Sequence, residues 1–551
     1  MKRIPPRPDI GQLKKQAKEL LAGYRLGDPA ALQRFRAFLP AARGKDDASL
    51  LARSLRLHDA QSCLAREYGF PSWADLQVFV LARRALAEDP ALALRHWLRM
   101  VYACDVAGGN NGSRPAVALR LLEDDPALPG DDPYLACAIG DVDKLRRATA
   151  QDPAWVHRAG GPLHLPPLVA VTHSGLANQP GFRKRLYDCA KFLLQAGASP
   201  DQAIGNRMLP ASVEHPAETE RLSALYGAAD KAHDARLTKL LLDAGAHPDD
   251  GESLYHSLEA PLCTALLLEA GATISGTNAL YRALDLDTAD ALQLLLAHGG
   301  DPNEPPLGPP TSGWGTPLLW AIRRRCPIEH IHALIEAGAS KDACTPDGIS
   351  AHALALRFGL PDVAALLGHA DDDADIFAVD DVFVAACARG DLDAARAIKA
   401  QHADVIARLD AARLRMLPEL AAQGCGDAVR AMVSCGWPLE VRGGDIDGSA
   451  LNQAVFRGDA ALTRFLLAQG ANWRTLHGFG DNVCGTLSWA SLNRPVADGD
   501  WVGCARAVCA GGLPPMRPDP GGEDLVLIGE RRYQFSDEVA DALLNAGSLS
   551  T

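Results

Sequence analysis

The ending Leu-Leu-x-x-Gly-Ala occurs four times along the 551 residues, and it limits what the chain can fold into. The clean copies end at Ala198, Ala246, Ala272 and Ala471, and looser copies end at Gly300, Ala339, Trp437, Gly512 and Gly547. Leucines at helical spacing before a glycine predict a short helix with one apolar stripe that stops at the glycine. Such a helix cannot bury its stripe alone, so we expect neighbouring copies to stack on one another.

A shorter helix is predicted before these endings. Its clearest start is Gly-Thr-Pro-Leu at 315–318, with related starts at 485–490, 448–454 and 277–283. Threonine or serine suits the N-cap position, and proline suits the first helical position. A self-match of seven identities in eleven positions, 136–146 against 386–396, adds a turn glycine followed by an aspartate that can cap the next helix. The sequence therefore predicts a helix-turn-helix unit that is used repeatedly.

These residues resemble the ankyrin-repeat family, whose unit has a Thr-Pro-Leu-His start, two helices and a Leu-Leu-x-x-Gly-Ala end. The resemblance covers roughly residues 131–551. It departs from the family at Leu319, which stands in place of the histidine, and in spacing, since 48 residues separate Gly197 from Gly245 but only 26 separate Gly245 from Gly271. The resemblance implies an all-α ankyrin-type solenoid of helix-turn-helix repeats with irregular insertions.

Residues 1–100 lack the repeat and are predicted to form a helical N-terminal head. Asp9 with Gln12 indicates a helix start, Gly27 an end, and Asp28 before Pro29 a second start; Ser72 is a further N-cap candidate. The head is similar to one found before ankyrin arrays in many bacterial proteins, which implies a bacterial origin and no particular activity.

The repeats are predicted to form two arrays, residues 101–370 and 376–551. An acidic joint at 371–381 separates them, with Asp371–Asp373, Asp375, Asp380 and Asp381. We interpret it as a solvated connection. A metal site is the alternative, but the calcium-loop pattern needs a central glycine and a terminal glutamate that are absent from it.

The formal net charge is −13, yet residues 1–70 hold 14 Lys and Arg against 7 Asp and Glu. The lysines of the head lie opposite its apolar stripe, as on any solvated helix face. Nucleic-acid binding is the alternative, but no recognised motif accompanies the charge, and the acidic remainder disfavours it. The ankyrin-repeat resemblance implies a protein partner instead.

Cysteine spacing and hydropathy add no sign of a cofactor or membrane span. The 13 cysteines form no Cys-x-x-Cys pair, and no apolar run approaches the length of a membrane helix. The N-terminus lacks the apolar core of a signal peptide. We expect a cytoplasmic protein without cofactor or bound metal, and export without a cleavable signal stays open.

The segment 472–484, here named the finger loop, is the most distinctive non-repeat stretch. In the family such a loop contacts partners, and here the predicted partner-binding residues are Trp473, Arg474, His477, Phe479 and Asp481. Two alternatives stay open. Either these side chains contact a partner, or Trp473 and Phe479 pack on neighbouring repeats while His477 bonds the loop backbone.

An enzyme is the competing class. His477, Asp481 and Cys484 could act as base, orienting group and nucleophile, but a loop spacing fixes no geometry and no catalytic motif occurs. We interpret His164 and His173 as turn and helix-end residues. The sequence thus predicts a non-catalytic protein-interaction scaffold that uses its concave face and finger loops. The alternative is an enzyme or nucleic-acid-binding protein whose site lies in the head or between the head and the first repeats.

Overall fold

The computed structural model describes residues 2–5, 8–53, 55–109, 112–305, 315–368, 378–518 and 525–547. The chain is mostly helical, as predicted. Its internal contacts divide it into two compact units, Met1–Asp301 and Pro302–Thr551.

The first unit contains eighteen described α-helices and one β-hairpin. The helices are α1 (Ile10–Arg25), α2 (Pro29–Phe38), α3 (Asp47–Leu51), α4 (Leu57–Glu67), α5 (Trp73–Glu88), α6 (Pro90–Val101), α7 (Cys104–Ala107), α8 (Pro115–Asp124), α9 (Pro133–Ile139), α10 (Val142–Gln151), α11 (Pro167–Thr172), α12 (Phe182–Gln195), α13 (Ala224–Tyr226), α14 (Ala235–Asp243), α15 (Ser253–His256), α16 (Pro261–Glu269), α17 (Ala279–Ala283) and α18 (Asp290–Ala297). The hairpin pairs β1 (Ala203–Asn206) with β2 (Ala217–Ser223) in antiparallel register.

The second unit contains fourteen described α-helices and a three-stranded sheet. The helices are α19 (Pro317–Arg323), α20 (Ile328–Glu336), α21 (Ala351–Arg357), α22 (Pro361–Leu367), α23 (Val379–Ala388), α24 (Leu392–Gln401), α25 (Val405–Arg408), α26 (Ala411–Ala422), α27 (Gly426–Ser434), α28 (Ala450–Phe456), α29 (Ala460–Ala468), α30 (Val483–Asn493), α31 (Trp501–Ala510) and α32 (Asp537–Gly547). The antiparallel sheet has the order β3 (Met516–Pro518), β4 (Leu525–Ile528), β5 (Arg531–Gln534).

The helix starts predicted in the first hundred residues are confirmed. Asp9 accepts a hydrogen bond from the Gln12 N–H at 2.9 Å, and Asp28 accepts one from the Ala30 N–H at 3.1 Å. Ser72 caps α5 through the Asp75 N–H at 3.1 Å. These side chains satisfy backbone donors that the first helical turn leaves open.

The Leu-Leu-x-x-Gly-Ala endings all close in the same way. The four glycines have φ values between 91° and 95°, in the left-handed region that suits glycine. The alanine that follows each glycine donates its N–H to the carbonyl of a leucine five residues earlier, at 3.0 Å in every copy. Those leucines, Leu193, Leu241, Leu267 and Leu466, are fully buried. The motif is therefore a helix-terminating turn that also positions one buried leucine.

The self-matching segments form the predicted helix-turn-helix unit in both places. Gly140 and Gly390 adopt φ values of 68° and 75°. Asp141 then caps α10 through the Lys144 N–H, and Asp391 caps α24 through the Ala394 N–H.

Successive helix pairs stack within each unit. In the first, α11 packs against α9 and α13, while α12 packs against α10 and α14. In the second, α28 packs against α26 and α30, while α29 packs against α27 and α31. The apolar stripe of each helix is thus covered by the corresponding helix of the next pair.

One predicted helix start is wrong. The sequence places the start of α30 at Gly485 and Thr486, but the helix begins at Val483, where Asn482 accepts the Cys484 N–H at 2.8 Å. Asn482 caps the helix four residues before Thr486, the expected cap, so Thr486 lies inside the helix.

The prediction that the acidic joint is solvated is wrong at Asp381. Residues 371–375 lie outside the described part of the chain. Asp381, expected to be solvated, is 5% exposed because its carboxylate pairs with Arg357 at 2.7 Å and Arg413 at 2.9 Å. Helix α23, which contains Asp380 and Asp381, also packs against α21.

The two small sheets are not predicted by the sequence analysis. In β4, Val526 and Ile528 are buried while the alternate residues are half-buried, which is the period-two pattern of a strand. Over the described residues, the helices include none with both the length and the apolar character needed to cross a bilayer.

Candidate binding pocket

A pocket of about 530 Å³ lies in the second unit, beside α28, α30 and the finger loop. Its lining residues are Asp445, Ile446, Phe456, His477, Phe479, Asp481, Gly485, Thr486 and Trp489.

Two aromatic rings from neighbouring helices form one wall of the pocket. Phe456 at the end of α28 and Trp489 in α30 stack with their centroids 5.4 Å apart and their planes 8° apart. Trp489 is nevertheless 51% exposed, and Phe479 from the finger loop is 80% exposed. A cluster of large apolar side chains left this open to solvent is typical of a binding surface.

A tight turn in the finger loop presents Phe479. His477 donates its backbone N–H to the Asp481 carbonyl at 2.8 Å, and its Nδ1 accepts the Phe479 N–H at 3.2 Å. Gly480, with a φ of 76°, returns its own N–H to the His477 carbonyl at 2.9 Å. Burial lowers the pKa of His477, and the negative charge of Asp481 opposes that shift only in part. The lowered pKa keeps the imidazole neutral, so its Nδ1 can accept a hydrogen bond.

The C-terminal sheet holds the other end of the finger loop. Asp481 Oδ1 accepts hydrogen bonds from Arg531 Nη1 at 3.1 Å and from the Tyr533 hydroxyl at 3.3 Å, both in β5. The Asn482 N–H donates to the same oxygen at 2.7 Å. Burial raises the pKa of Tyr533, so its hydroxyl keeps the proton that it donates.

A second carboxylate lines the pocket on the loop before α28. Asp445 pairs with Arg324 at 2.9 Å, and the Asp445 side chain is 60% exposed. The pocket thus combines apolar rings with two accessible carboxylates.

The predicted partner-binding residues divide into two groups. Trp473 is only 8% exposed, and Arg474 lies over its ring with the guanidinium carbon 4.3 Å from the ring centroid. Neither lines the pocket, and for Trp473 the structure gives the packing role that the sequence left open. His477 bonds the loop backbone, also as in that alternative, whereas Phe479 and Asp481 line the pocket with it.

Sequence reasoning did not single out Phe456, Trp489, Ile446 and Asp445. A signal for Trp489 was present, because a Trp-Ala pair occurs both at 320–321 and at 489–490, in two first helices of the repeat. In the related starts 448–454 and 277–283, the residue before the alanine is Gln453 and Arg282.

The catalytic alternative for the finger loop has unfavourable chemistry. Burial raises the pKa of the Cys484 thiol to about 12, so the sulfur is protonated at neutral pH. The Nδ1 of His477 already accepts the Phe479 N–H.

A second cluster of titratable groups lies after the head, where the enzyme alternative would place its site. Lys231 Nζ lies 3.0 Å from Asp105 and 2.9 Å from Asp230, and 4.9 Å from the centroid of the Tyr226 ring. Burial alone would lower the pKa of Lys231, but Asp105, Tyr226 and Asp230 raise it above its ordinary value. A lysine that keeps its proton is neither a base nor a nucleophile, and Lys231 forms ion pairs with Asp105 and Asp230.

The two histidines near this cluster occupy the predicted positions. His164 has a φ of 46° in the turn between Gly160 and Leu165, and His173 caps the end of α11. His173 is buried, and its Nε2 has no hydrogen-bond partner among the described residues.

No family model matches the sequence, and no curated protein matches it. Among solved structures, the chain is similar to the crystal structure of the human ASB11 ankyrin repeat domain, with 20% identity and a TM-score of 0.32. The match covers 43% of this chain and 98% of that chain. A similarity at this TM-score carries no functional assignment.

Proposed function

We propose that the protein is a non-catalytic interaction scaffold that binds a segment of a protein partner in the pocket beside the finger loop. The observation that carries the proposal is the exposure of Phe479 and Trp489 around a pocket whose wall is the Phe456–Trp489 stack. Aromatic side chains in such pockets dominate the energy of protein interfaces.

The helix pairs after residue 100 are, in this proposal, ankyrin-type repeats of a solenoid, and residues 1–100 are its helical head. Support comes from the recurrent glycine-terminated helices and the stacking of successive pairs. The pocket then lies where the first helices and the finger loops meet, on the concave face.

Within the finger loop, Phe479 is the main anchor and Asp481 a polar contact. His477 positions Phe479 through the loop backbone. The buried Trp473 ring anchors the start of the loop in the protein core, and the Arg474 guanidinium packs over that ring. The site thus extends beyond the finger loop to Phe456, Trp489, Ile446 and Asp445.

Site-specific photocrosslinking tests the proposal. A benzoylphenylalanine at position 479 of the full chain, irradiated in extract of the source cells, is expected to yield a discrete crosslinked protein. The same label at Leu476, which is 49% exposed on the same loop but does not line the pocket, is the control.

The crosslink should disappear when Trp489→Ala is added to the labelled protein. A crosslink that persists in that variant, or one obtained equally from position 476, would contradict the proposed site. Circular dichroism of the variant confirms that it stays folded.

A further inference from the structure

We infer that the pocket recognises an arginine side chain of the partner segment, with apolar neighbours on either side. The inference rests on the proposed function and adds the chemistry of the ligand.

The rings provide a stacking surface for a planar cation. Trp489 is held in a fixed orientation by the Phe456 ring 5.4 Å away, and about half of its side chain stays exposed. Phe479 adds a second exposed ring at the rim. A guanidinium stacks on such rings through its flat face, and tryptophan is the best partner.

The carboxylates provide acceptors within the same pocket. Asp481 Oδ1 takes the three donors from Arg531, Tyr533 and Asn482, whereas its Oδ2 has no donor among the described residues. Asp445 uses both oxygens for a single nitrogen, Arg324 Nη1, at 2.9 and 3.2 Å. Each carboxylate therefore has acceptor capacity left, and an arginine fork can use two acceptors at once.

Two arginines of the protein itself already contact both a carboxylate and an aromatic ring beside the pocket. Arg531 pairs with Asp481 while its guanidinium lies 5.7 Å from the Tyr533 ring centroid. Arg324 pairs with Asp445 and lies 5.6 Å from the Trp320 ring centroid. One member of each pair is more than half exposed, Arg531 at 58% and Asp445 at 60%, and ion pairs in contact with solvent contribute little, so an incoming arginine can share these carboxylates.

The loops around the pocket also favour a cationic segment. The two loops that line the pocket, 438–448 and 472–484, contain four acidic residues and two basic ones. Their acidic residues are Glu440, Asp445, Asp447 and Asp481, and their basic residues are Arg442 and Arg474. An excess of acidic groups attracts a basic segment and disfavours an acidic one. Lysine satisfies the charge but lacks the flat face, so arginine is preferred.

Selection from a random-peptide display library tests the inference. The library is selected against the immobilised full chain and, in parallel, against Trp489→Ala and against Leu492→Ala, which alters an exposed leucine of the same helix outside the pocket. We expect enriched peptides to share an arginine between apolar residues, with enrichment lost for Trp489→Ala and kept for Leu492→Ala.

Binding of an enriched peptide is then compared with its Arg→Lys and Arg→Gln forms. The expected loss is about tenfold or more for glutamine, because a charged hydrogen-bonding group is removed. Asp445→Asn and Asp481→Asn should each reduce the preference for arginine over glutamine. Asp447→Asn, which removes a neighbouring carboxylate outside the pocket, should leave that preference unchanged.

Failure of this inference and failure of the proposed function have different signatures. Peptides that require Trp489 but share no arginine overturn the arginine specificity and leave the binding pocket standing. A selection without any Trp489-dependent peptide overturns the inference, and the photocrosslink at position 479 then decides separately on the proposed function.

Discussion

Arg357 and Asp381 form a buried ion pair, with Arg357 Nη2 2.7 Å from Asp381 Oδ1 and each side chain only 6% exposed. Arg413 supplies a second partner for the same carboxylate. The pair joins α21 to α23, on either side of the segment 369–377. A neighbouring carboxylate, Asp380, pairs instead with the more exposed Arg408.

Replacement of Asp381 by asparagine should lower the free energy of unfolding by about 3–5 kcal/mol, because Arg357 is left charged and buried without its counterion. Asp380→Asn is the matched control and should cost less than about 1 kcal/mol. Urea denaturation of the purified chains measures both. Equal small losses would mean that Arg357 is hydrated in solution.

Trp473 and Phe479 should have opposite roles although they lie six positions apart. Trp473→Ala removes a buried ring and should reduce the free energy of unfolding by about 3–5 kcal/mol. Phe479→Ala removes an exposed ring and should change stability by less than about 0.5 kcal/mol while weakening partner binding. Thermal and urea unfolding, together with binding of a peptide selected from the display library on the unchanged chain, separate the two effects. A stable Trp473→Ala protein would contradict the packing described for the loop.

Leu466 in α29 should be a major stabilising residue, because it is fully buried beneath the next helix pair. Leu466→Ala should cost about 2–5 kcal/mol, and Leu193→Ala in α12 should behave alike. Arg464→Ala, an exposed change in the same helix as Leu466, is the control. Unfolding by urea should show the difference as a shift in midpoint.

His173 should make stability depend on pH. Burial lowers its pKa to about 4, while Asp105 and Asp230 oppose and Lys231 adds to the shift. Because an unfolded histidine has a pKa of about 6.5, the unfolded chain binds the proton first as the pH falls. The free energy of unfolding should therefore drop by about 2 kcal/mol between pH 7 and pH 5 through this residue.

The His173→Gln variant provides the comparison for that pH dependence. It cannot titrate in this range, so its loss of stability between pH 7 and pH 5 should be smaller than that of the unchanged protein. Parallel curves for the two proteins would show that His173 is charged, or solvated, in the folded state.

The repeat itself could be predicted from the sequence because its signals are local. A glycine such as Gly197 ends a helix because it can adopt a positive φ. An aspartate such as Asp141 caps the helix that follows it by accepting the N–H of the residue three positions later. The leucines before these glycines, such as Leu193 and Leu466, are buried, as their helical spacing indicates. The start of α30 was misplaced because Asn482 and Thr486 are both good caps, and Asn482 is the one whose side chain accepts a backbone N–H of the first turn.

The pocket could be predicted only in part, because its residues come from separate segments. Phe479 and Asp481 stood out within one unusual loop. Their neighbours Phe456 and Trp489 belong to two different helices, and the stacking of those helices brings the rings together. The hydrogen bonds from Arg531 and Tyr533 to Asp481 depend on a sheet that the repeat pattern does not indicate.

The pocket is not portable as a single repeat. Asp481 is held by residues 50 and 52 positions later in the chain, whereas Phe456 belongs to the preceding helix pair. A graft of residues 472–493 alone would lack Arg531 and Tyr533, which hydrogen-bond the finger loop. It would also lack Phe456, on which Trp489 stacks. A change of binding specificity at this pocket should therefore require two helix pairs and the sheet to be replaced together. Exchange of one repeat alone should abolish the pocket and not adjust its specificity.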